Sequence, residues 1–480
     1  AVVYMNFHRV INLSHNFHIS CDETTMKTCK AKKMYGLAIM LFSIMLVSPT
    51  YAQNGPKGTL RVGAAKVDIT PNQDELPPNS FGILDHIHSR AIVIDNNHTK
   101  AALVTVDIGG ISDAQWKTIT ERVETEIGIP QNNIMITASH THSGARLKPE
   151  VLNEKIFSSI KEATSKLQPA QIGYGSGVSY ININRNIFDQ ERHGWWEGPN
   201  YEGISDKTVA VICFKTMDNK PIAVYYNYAM HAVAAGQLDM ISGDVPGTTS
   251  KYIEDTFDNE IIAVWSTGAS GDQNPIYFNQ TYELRDIRIK EYAKRGEDIS
   301  NAMPPGGTGL DRNNPQVAKL MQQQKDIIIS MGQMLGEEVQ HVMRNIKRYE
   351  TVIPINTGSK IITCPGRNRL NKGRAGYEGK YEDADPIELR LGLIMLDNIP
   401  ITSVNAEIFN YIAVRLKNES PYTRTMMATI TNGTARSGYI PNDAAYGFQT
   451  FEVLSSRLKP GYAESAIVNG LLDLINEATH

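Results

Sequence analysis

The chain lacks an excess of positive charge and carries no basic stripe. It has 47 Lys and Arg residues against 51 Asp and Glu residues, a formal net charge of −4. This balance excludes nucleic acid as a partner. After residue 52 there is no apolar run that could cross a bilayer, so we expect no stable membrane span. There is also no internal repeat and no low-complexity tract, which excludes a repeat array.

Cysteine is equally scarce, with four residues in 480. Cys21 and Cys29 precede the body of the protein, which leaves Cys213 and Cys364. Cys213 lies in a strand-like apolar run and is typical of a small core residue. A disulfide between the last two remains an alternative in an oxidising compartment.

The N-terminal segment has the pattern of a secretory signal. Met34–Ala52 is apolar and ends in small residues, and four lysines precede it. The run is too short to span a membrane comfortably, and its end is suited to cleavage after Ala52. We predict that residues 1–52 are an upstream segment plus a signal peptide starting at Met26, and that the mature protein is secreted or periplasmic. A buried N-terminal helix is the alternative.

Strand and helix patterns alternate irregularly along the rest of the chain. Leu60–Ile69 has the period of a strand, whereas Ala114–Ile127 has helical spacing with Asp113 as a candidate N-cap. The mixture predicts an α/β fold, with a mixed β-sheet core covered by helices. We expect a single catalytic domain over residues 53–480. Residues 278–313 are polar and charged, and we interpret them as an insertion in that domain.

The most informative motif is Ser139-His140-Thr141-His142-Ser143-Gly144, directly after the apolar run Asn133–Ala138. Residues i and i+2 of a strand face the same side, so both imidazoles could point into one cleft. Neutral imidazole is a common zinc ligand and a proton carrier near neutral pH. Alone, the motif is more typical of two surface histidines at the entrance of a loop.

Further polar side chains follow predicted strands or glycines. They are His231, Asp272, Asn274, Glu407 and Tyr439. Each has a structural alternative: a core histidine, an ordinary turn, or, for Glu407 at the start of a helix predicted over Ala406–Lys417, a partner of the helix dipole.

These blocks together resemble the neutral/alkaline ceramidases, specifically their N-terminal catalytic region. The resemblance rests on segments in the family's order: Ala65–Pro71, His88–Ala91, Thr137–Gly144, Asn184–Asn186, and the blocks at His231, Gly243–Asp244, Gly271–Asp272, Glu407 and Tyr439–Glu452. It implies a neutral-ceramidase-like catalytic domain acting on a small-molecule or lipid-like acyl substrate.

The resemblance also implies a Zn²⁺ site. Its ligands fall at His140, His231, Glu407 and Tyr439. Zinc lowers the pKa of water and polarises a carbonyl, which leads to hydrolysis of an N-acyl amide bond by zinc-activated water.

Other predicted roles concern the residues around that metal. We expect His142 to donate to the oxyanion or to carry a proton to the leaving group. Arg185 matches a substrate-site arginine that could fix a polar or anionic group, and Asp272 could orient water or a histidine.

Two departures from the family pattern bear on the substrate. Asn274 stands where the family carries a proposed catalytic serine, and an amide is no nucleophile. Phe451 stands where a tyrosine would contact the reacting carbonyl. A zinc-dependent hydrolase of an ester, lactone or carbohydrate-linked acyl group is therefore the alternative function, and a non-catalytic binding protein of the same fold is a further one.

Overall fold

The computed structural model describes residues 55–76, 78–191, 193–299 and 309–479. In this part of the chain, stacked β-sheets form the framework of the fold. The predicted upstream segment and signal peptide, residues 1–52, lie outside these ranges. None of the described helices combines the length and apolar character needed to cross a bilayer.

The strands are numbered here in chain order. They are β1 Gly58–Thr59, β2 Arg61–Asp68, β3 His88–Asp95, β4 Lys100–Val106, β5 Ile134–Ala138, β6 Gln168–Val178, β7 Asn182–Asp189, β8 Gly194–Asn200, β9 Thr208–Thr216, β10 Pro221–Tyr228, β11 Ile262–Thr267, β12 Gln273–Pro275, β13 Tyr349–Glu350, β14 Val352–Ile353, β15 Ile355–Arg369, β16 Tyr381–Leu396, β17 Ile399–Val404, β18 Glu407–Ile408, β19 Met426–Thr429 and β20 Tyr439–Ile440.

The helices are numbered in the same way. They are α1 Asp113–Ile127, α2 Pro149–Ser165, α3 Asp244–Thr256, α4 Asn279–Ala293, α5 Pro315–Asn345, α6 Asn410–Glu419, α7 Phe451–Ser455 and α8 Ala463–Glu477. Short 3₁₀ turns occur at Gln73–Glu75, Gln131–Asn133 and Asp443–Gly447.

The largest sheet has the strand order β11-β10-β9-β6-β2-β3-β4-β5, with β13 added beside β6. The pairs β10·β11 and β4·β5 are parallel, and the other pairs are antiparallel. The predicted mixed sheet is therefore confirmed. Helices α1, α2 and α5 cover one of its faces.

A second sheet, β15-β16-β17-β19, covers the other face, where we had predicted helices. Helices α6 and α8 lie on the far side of this second sheet. Alternate residues of β9 illustrate the layering: Val211 and Cys213 face α5, whereas Ile212 and Phe214 face the second sheet. A strand that is buried on both faces has a continuous apolar run. Such a run does not indicate whether helices or a second sheet cover each face, so the second sheet could not be predicted from the sequence.

Several predicted boundaries are wrong in informative ways. Ser112, not Asp113, caps α1, because its side chain accepts the backbone N–H of Gln115. The helix predicted over Ala406–Lys417 begins only at Asn410, and Glu407 lies in the short strand β18 instead.

The polar segment 278–313 contains helix α4, whose Leu284 is fully buried in the core shared with α5. This part of the segment packs on the body of the protein. Cys213 and Cys364 are both buried and unpaired, so the disulfide alternative is not realised.

Strand β2 and helix α2 approach closely at Gly63. A Cβ added there would lie 2.1 Å from the carbonyl oxygen of Ala163 and 2.8 Å from the amide nitrogen of Leu167. We expect Gly63→Ala to lower the free energy of unfolding by about 1–3 kcal/mol, because backbone must shift. Denaturant unfolding checks this against Gly447→Ala, where an added Cβ meets nothing within 4 Å. Equal midpoints for the two variants would contradict the expectation.

Candidate metal centre

The two histidines of the His-x-His motif lie in a turn and not on a strand. Strand β5 ends at Ala138, and His140 has a left-handed backbone with φ of 63°. The expectation that strand alternation aligns the two rings is therefore wrong. The turn achieves the same result, since the ring centroids of His140 and His142 are 5.2 Å apart. A non-glycine residue in this conformation costs about 1 kcal/mol or more, so neighbouring contacts must hold it.

His231 follows strand β10 and is fully buried. Its backbone N–H donates to the carbonyl of Gln273, which fixes it beside strand β12. Its ring centroid lies 5.1 Å from that of His140 and 6.0 Å from that of His142. Ring nitrogens of these three histidines lie within 4.8 Å of one another, close enough to hold a metal ion.

Glu407 and Tyr439 enter the site together. They are paired in register in the two-stranded parallel sheet β18·β20. The Tyr439 ring centroid lies 6.3 Å from that of His231. The fold thus brings His142 and all four sequence-predicted zinc ligands to one place.

The donor atoms fit a cation. Glu407 Oε2 lies 3.3 Å from Nε2 of His140 and 3.3 Å from Nε2 of His231. All three atoms are buried and have no hydrogen-bond partner within the part of the chain that the structure describes. Buried polar atoms normally find partners, and two imidazole nitrogens with one carboxylate oxygen are a typical zinc donor set.

Backbone carbonyls orient both histidines. His140 Nδ1 lies 2.6 Å from the carbonyl oxygen of Gly109, and His231 Nδ1 lies 2.6 Å from that of Ser270. A carbonyl only accepts, so each Nδ1 carries the proton and each Nε2 keeps its lone pair. Sequence reasoning missed both acceptors, because a main-chain carbonyl leaves no side-chain signal.

The electrostatics keep two imidazoles neutral. Burial, with the charge of Arg185 second, lowers the pKa of His231 to about 4. Desolvation by the surrounding protein, although the His142 side chain opens onto solvent, and repulsion by the other two histidines lower the pKa of His142 as well. Neutral imidazole is the form that binds metal or accepts a proton.

The third imidazole and the carboxylate attract each other, beside a neutral phenol. Burial opposes the charged forms of His140 and Glu407, but their mutual attraction outweighs it. The pKa of His140 is raised, and that of Glu407 is held well below its ordinary value. Burial and the charge of Glu407 raise the pKa of Tyr439 well above the ordinary value, so its phenol keeps its proton.

Arg185 lies on strand β7, next to Tyr439, and only 3% of it is exposed. Its Nε donates to Glu452 at 2.7 Å, Nη1 to Asn274 at 3.1 Å and Nη2 to the Gly271 carbonyl at 2.7 Å. The predicted substrate arginine therefore has protein acceptors at all three nitrogens. Its contacts are those of a group that holds the wall of the site.

Asn274 and Asp272 are also engaged. The Asn274 amide accepts from Arg185 and donates to Glu197 at 3.3 Å. The Asp272 carboxylate accepts from the Asn184 side chain at 2.9 Å and the Asn410 backbone at 2.8 Å. Within the described ranges no hydrogen bond joins Asp272 to a histidine, so the idea that it orients one has no support here.

Comparison with known proteins decides the family. A family model described as neutral/alkaline non-lysosomal ceramidase, N-terminal, matches residues 61–370. The chain belongs to this family. The predicted resemblance is confirmed, although Glu407 and Tyr439 lie beyond the matched residues.

Curated relatives of this ceramidase-family chain are distant. The neutral ceramidase of Pseudomonas aeruginosa is 25% identical over 305 residues, 55% of this chain and 45% of that protein. That of Drosophila melanogaster is 24% identical over 282 residues, 51% of this chain and 39% of that protein. The chain spans less than half the length of these two relatives.

Solved structures share the fold. The crystal structure of neutral ceramidase from Pseudomonas aeruginosa has a TM-score of 0.63 at 17% identity, over 87% of this chain and 74% of that chain. A structure described as ceramidase complexed with C2 has a TM-score of 0.63 at 16% identity, over 87% of this chain and 75% of that chain. The predicted ceramidase-like α/β fold is confirmed.

Two glutamates of this ceramidase-family site were not predicted as site residues. Glu452 pairs with Arg185, and burial raises the pKa of its carboxyl to about 7 against that positive charge. Burial would also raise the pKa of Glu197, but Arg185, Arg374 and Arg285 outweigh it and lower the pKa to about 2. Nothing in the local sequence marks either residue, since their partners are remote in the chain.

Proposed function

We propose that the protein is a zinc-dependent hydrolase of ceramidase type that cleaves an N-acyl amide bond. The observation that carries the proposal is the convergence of three buried donor atoms, on His140, His231 and Glu407, that have no hydrogen-bond partner among the described residues. Membership of the ceramidase family supports the reaction class. We further propose one catalytic domain over residues 53–480 and, from the signal-like N-terminus, a secreted or periplasmic location.

His140, His231 and Glu407 would hold the zinc, with the Tyr439 phenol as a fourth ligand. Zinc bound there supplies a Lewis acid and lowers the pKa of water. The chain fixes its two imidazoles through the Gly109 and Ser270 carbonyls, which keeps both lone pairs aimed at the same point.

His142 is the proton carrier in this proposal. Its side chain is exposed, lies beside His140 and forms part of a cavity wall. A neutral imidazole at that place can take a proton from the attacking water and deliver it to the departing nitrogen. It can also donate to the oxyanion as negative charge develops.

Water is the nucleophile, because the chain offers no serine at the position of Asn274. The Asn274 amide is fixed between Arg185 and Glu197. Arg185 in turn stacks near Phe451 and Tyr439, with its Cζ 4.8 Å and 5.5 Å from the two ring centroids. This network orients Tyr439 and keeps the wall of the site rigid.

An ester, lactone or carbohydrate-linked acyl group is the second candidate substrate. The observation favouring it is Phe451, whose ring lies beside Tyr439 and has no hydroxyl to offer an oxyanion. An alkoxide leaves more easily than an amide nitrogen that has not been protonated, so such substrates tolerate the loss of one donor better.

The test is hydrolysis of a fluorescent short-chain ceramide by the zinc-loaded protein. We expect a chelator to abolish cleavage, and His231→Ala to lose bound zinc and at least about 1000-fold in kcat/KM, equivalent to about 4 kcal/mol. His341→Ala, at an exposed position on α5, serves as the matched control.

Two outcomes count against the proposal. Chelator-insensitive cleavage, or stoichiometric zinc in His231→Ala, would remove the proposed metal centre from the reaction. No cleavage by a folded, zinc-loaded protein would favour the second candidate, for which matched esters, lactones and N-acyl sugars are the substrates. A protein inactive on all of them would be a binding protein.

A further inference from the structure

A cavity of about 1140 Å³ opens directly beside His142. Its wall is formed by Ile69–Asn72, the segment from His142 to Lys148, the first turns of α2, and the loop around Met240. A compound whose scissile bond lies at the histidine cluster can therefore extend one of its ends into this space.

The charge of the cavity wall is positive. Arg146, Lys148 and Lys155 line it, and none of the three has an ion-pair partner among the described residues. Lys148 and Lys155 share one face of the α2 N-terminal region with Val151, at spacings of three and four residues. The three cations thus border the same space.

The carboxylates of the wall compensate this charge only in part. Asp239 is paired with Arg288 at 2.7 Å, so this pair contributes no net charge. Glu75 lies on the wall without an ion-pair partner among the described residues, and its carboxylate accepts a hydrogen bond at 2.8 Å from the backbone N–H of Asn72. Its negative charge offsets one of the three cations. The wall keeps an excess of positive charge.

The same wall also has apolar parts, including Leu147, Val151, Met240 and Ile241. A purely polar ligand such as a sugar would leave this surface uncovered. A hydrocarbon segment that carries an anionic group matches both properties, because apolar walls with a few placed charges set the orientation of such ligands.

We propose that this cavity binds the anionic group of an N-acyl compound: a carboxylate, sulfonate or phosphate near the scissile amide. The inference rests on the proposed function and specifies its substrate class. In the reaction, water adds to the acyl carbon as a C–O bond forms, the C–N bond breaks, and the nitrogen gains a proton. The products are a carboxylic acid and an anionic amine.

The test uses three amides with the same acyl chain: N-lauroylethanolamine, which is neutral, N-lauroylglycine, a carboxylate, and N-lauroyltaurine, a sulfonate. We expect kcat/KM of the zinc-loaded enzyme to be about 10-fold or more higher for an anionic amide than for the neutral one. The difference should lie mainly in KM and shrink as salt is raised from 50 to 500 mM, because the cations are solvent-accessible.

The decisive variant is Arg146→Gln/Lys148→Gln/Lys155→Gln. For this variant, we expect kcat/KM for the anionic amides to differ by no more than about 2-fold from kcat/KM for the neutral amide. Lys161→Gln, on an exposed part of α2 away from the cavity, should keep the wild-type ratio. Comparing kcat/KM for N-lauroylglycine with kcat/KM for N-lauroyltaurine distinguishes an N-acyl amino acid from a sulfonated lipid as the preferred anionic substrate.

Calorimetry with the same three compounds separates this inference from the proposed function. Anion-selective binding that the triple variant loses, without turnover of any amide, would support the cavity and reject the amidase. Turnover with no anionic preference, or with a preference that the triple variant retains, would overturn the cavity inference and leave the amidase standing. Neither turnover nor selective binding would reject both.

Discussion

Replacing His142 with alanine is expected to lower kcat by about 10²–10⁴-fold while bound zinc stays at one per chain. Among the described residues, the Gly109 and Ser270 carbonyls hydrogen-bond the rings of the other two histidines, and no hydrogen bond joins the His142 ring to either carbonyl. Its backbone N–H donates to Ala232, and its side chain is exposed at the cavity. A group held in this way can move a proton without being needed to hold the metal.

The measurement is kcat on the most active amide, together with elemental analysis of zinc. The alternative is that His142 is a third imidazole ligand, because its ring nitrogens are close enough to those of His140 and His231. Loss of zinc from His142→Ala would establish that alternative. Unchanged zinc with unchanged kcat would remove His142 from the mechanism altogether.

Replacing Arg90 with methionine is expected to lower the free energy of unfolding by about 3–5 kcal/mol. Arg90 is 2% exposed and pairs with Asp107 and Glu254, each at 2.9 Å. Lys66 adds a second cation at 2.8 Å from Glu254 but does not contact Asp107 in any ion pair of the described residues. Without Arg90, at least one buried carboxylate loses its counter-charge.

Arg122→Met provides the control in the same denaturant experiment. Arg122 also contacts two carboxylates, those of Glu126 and Glu154, but on the surface. Surface pairs contribute less than about 1 kcal/mol, so we expect a small effect. Similar losses in the two variants would contradict the expectation that burial makes the ion pairs of Arg90 the more important for stability.

The sequence allowed the candidate metal centre to be predicted because its histidines follow buried strands. Such strands have apolar runs that are recognisable without a structure, and His140 and His231 come directly after two of them. The left-handed turn at His140 could not be predicted, because neighbouring contacts hold an otherwise unfavourable conformation. The ligand set itself came from the family resemblance.

Strands β7 and β8 show where sequence reasoning failed. Their sequences, NINRNIFD and GWWEGPN, lack the alternation of a strand with one buried face. The polar residues Asn184, Arg185 and Asn186 are nevertheless buried. Most of their partners come from distant parts of the chain, such as Asp272 and Glu452, and distant pairing has no local signature.

The register pairing of Glu407 with Tyr439 has a consequence for how activity arises during synthesis. The histidine pair emerges from the ribosome long before its carboxylate, and the phenol follows later still. Closing contacts over such sequence separations is entropically costly and comes late in folding. A nascent or truncated chain that has not reached Tyr439 therefore carries the histidines without the complete candidate centre. The proposed hydrolytic activity would then report that the segment carrying Glu407 and Tyr439 has docked.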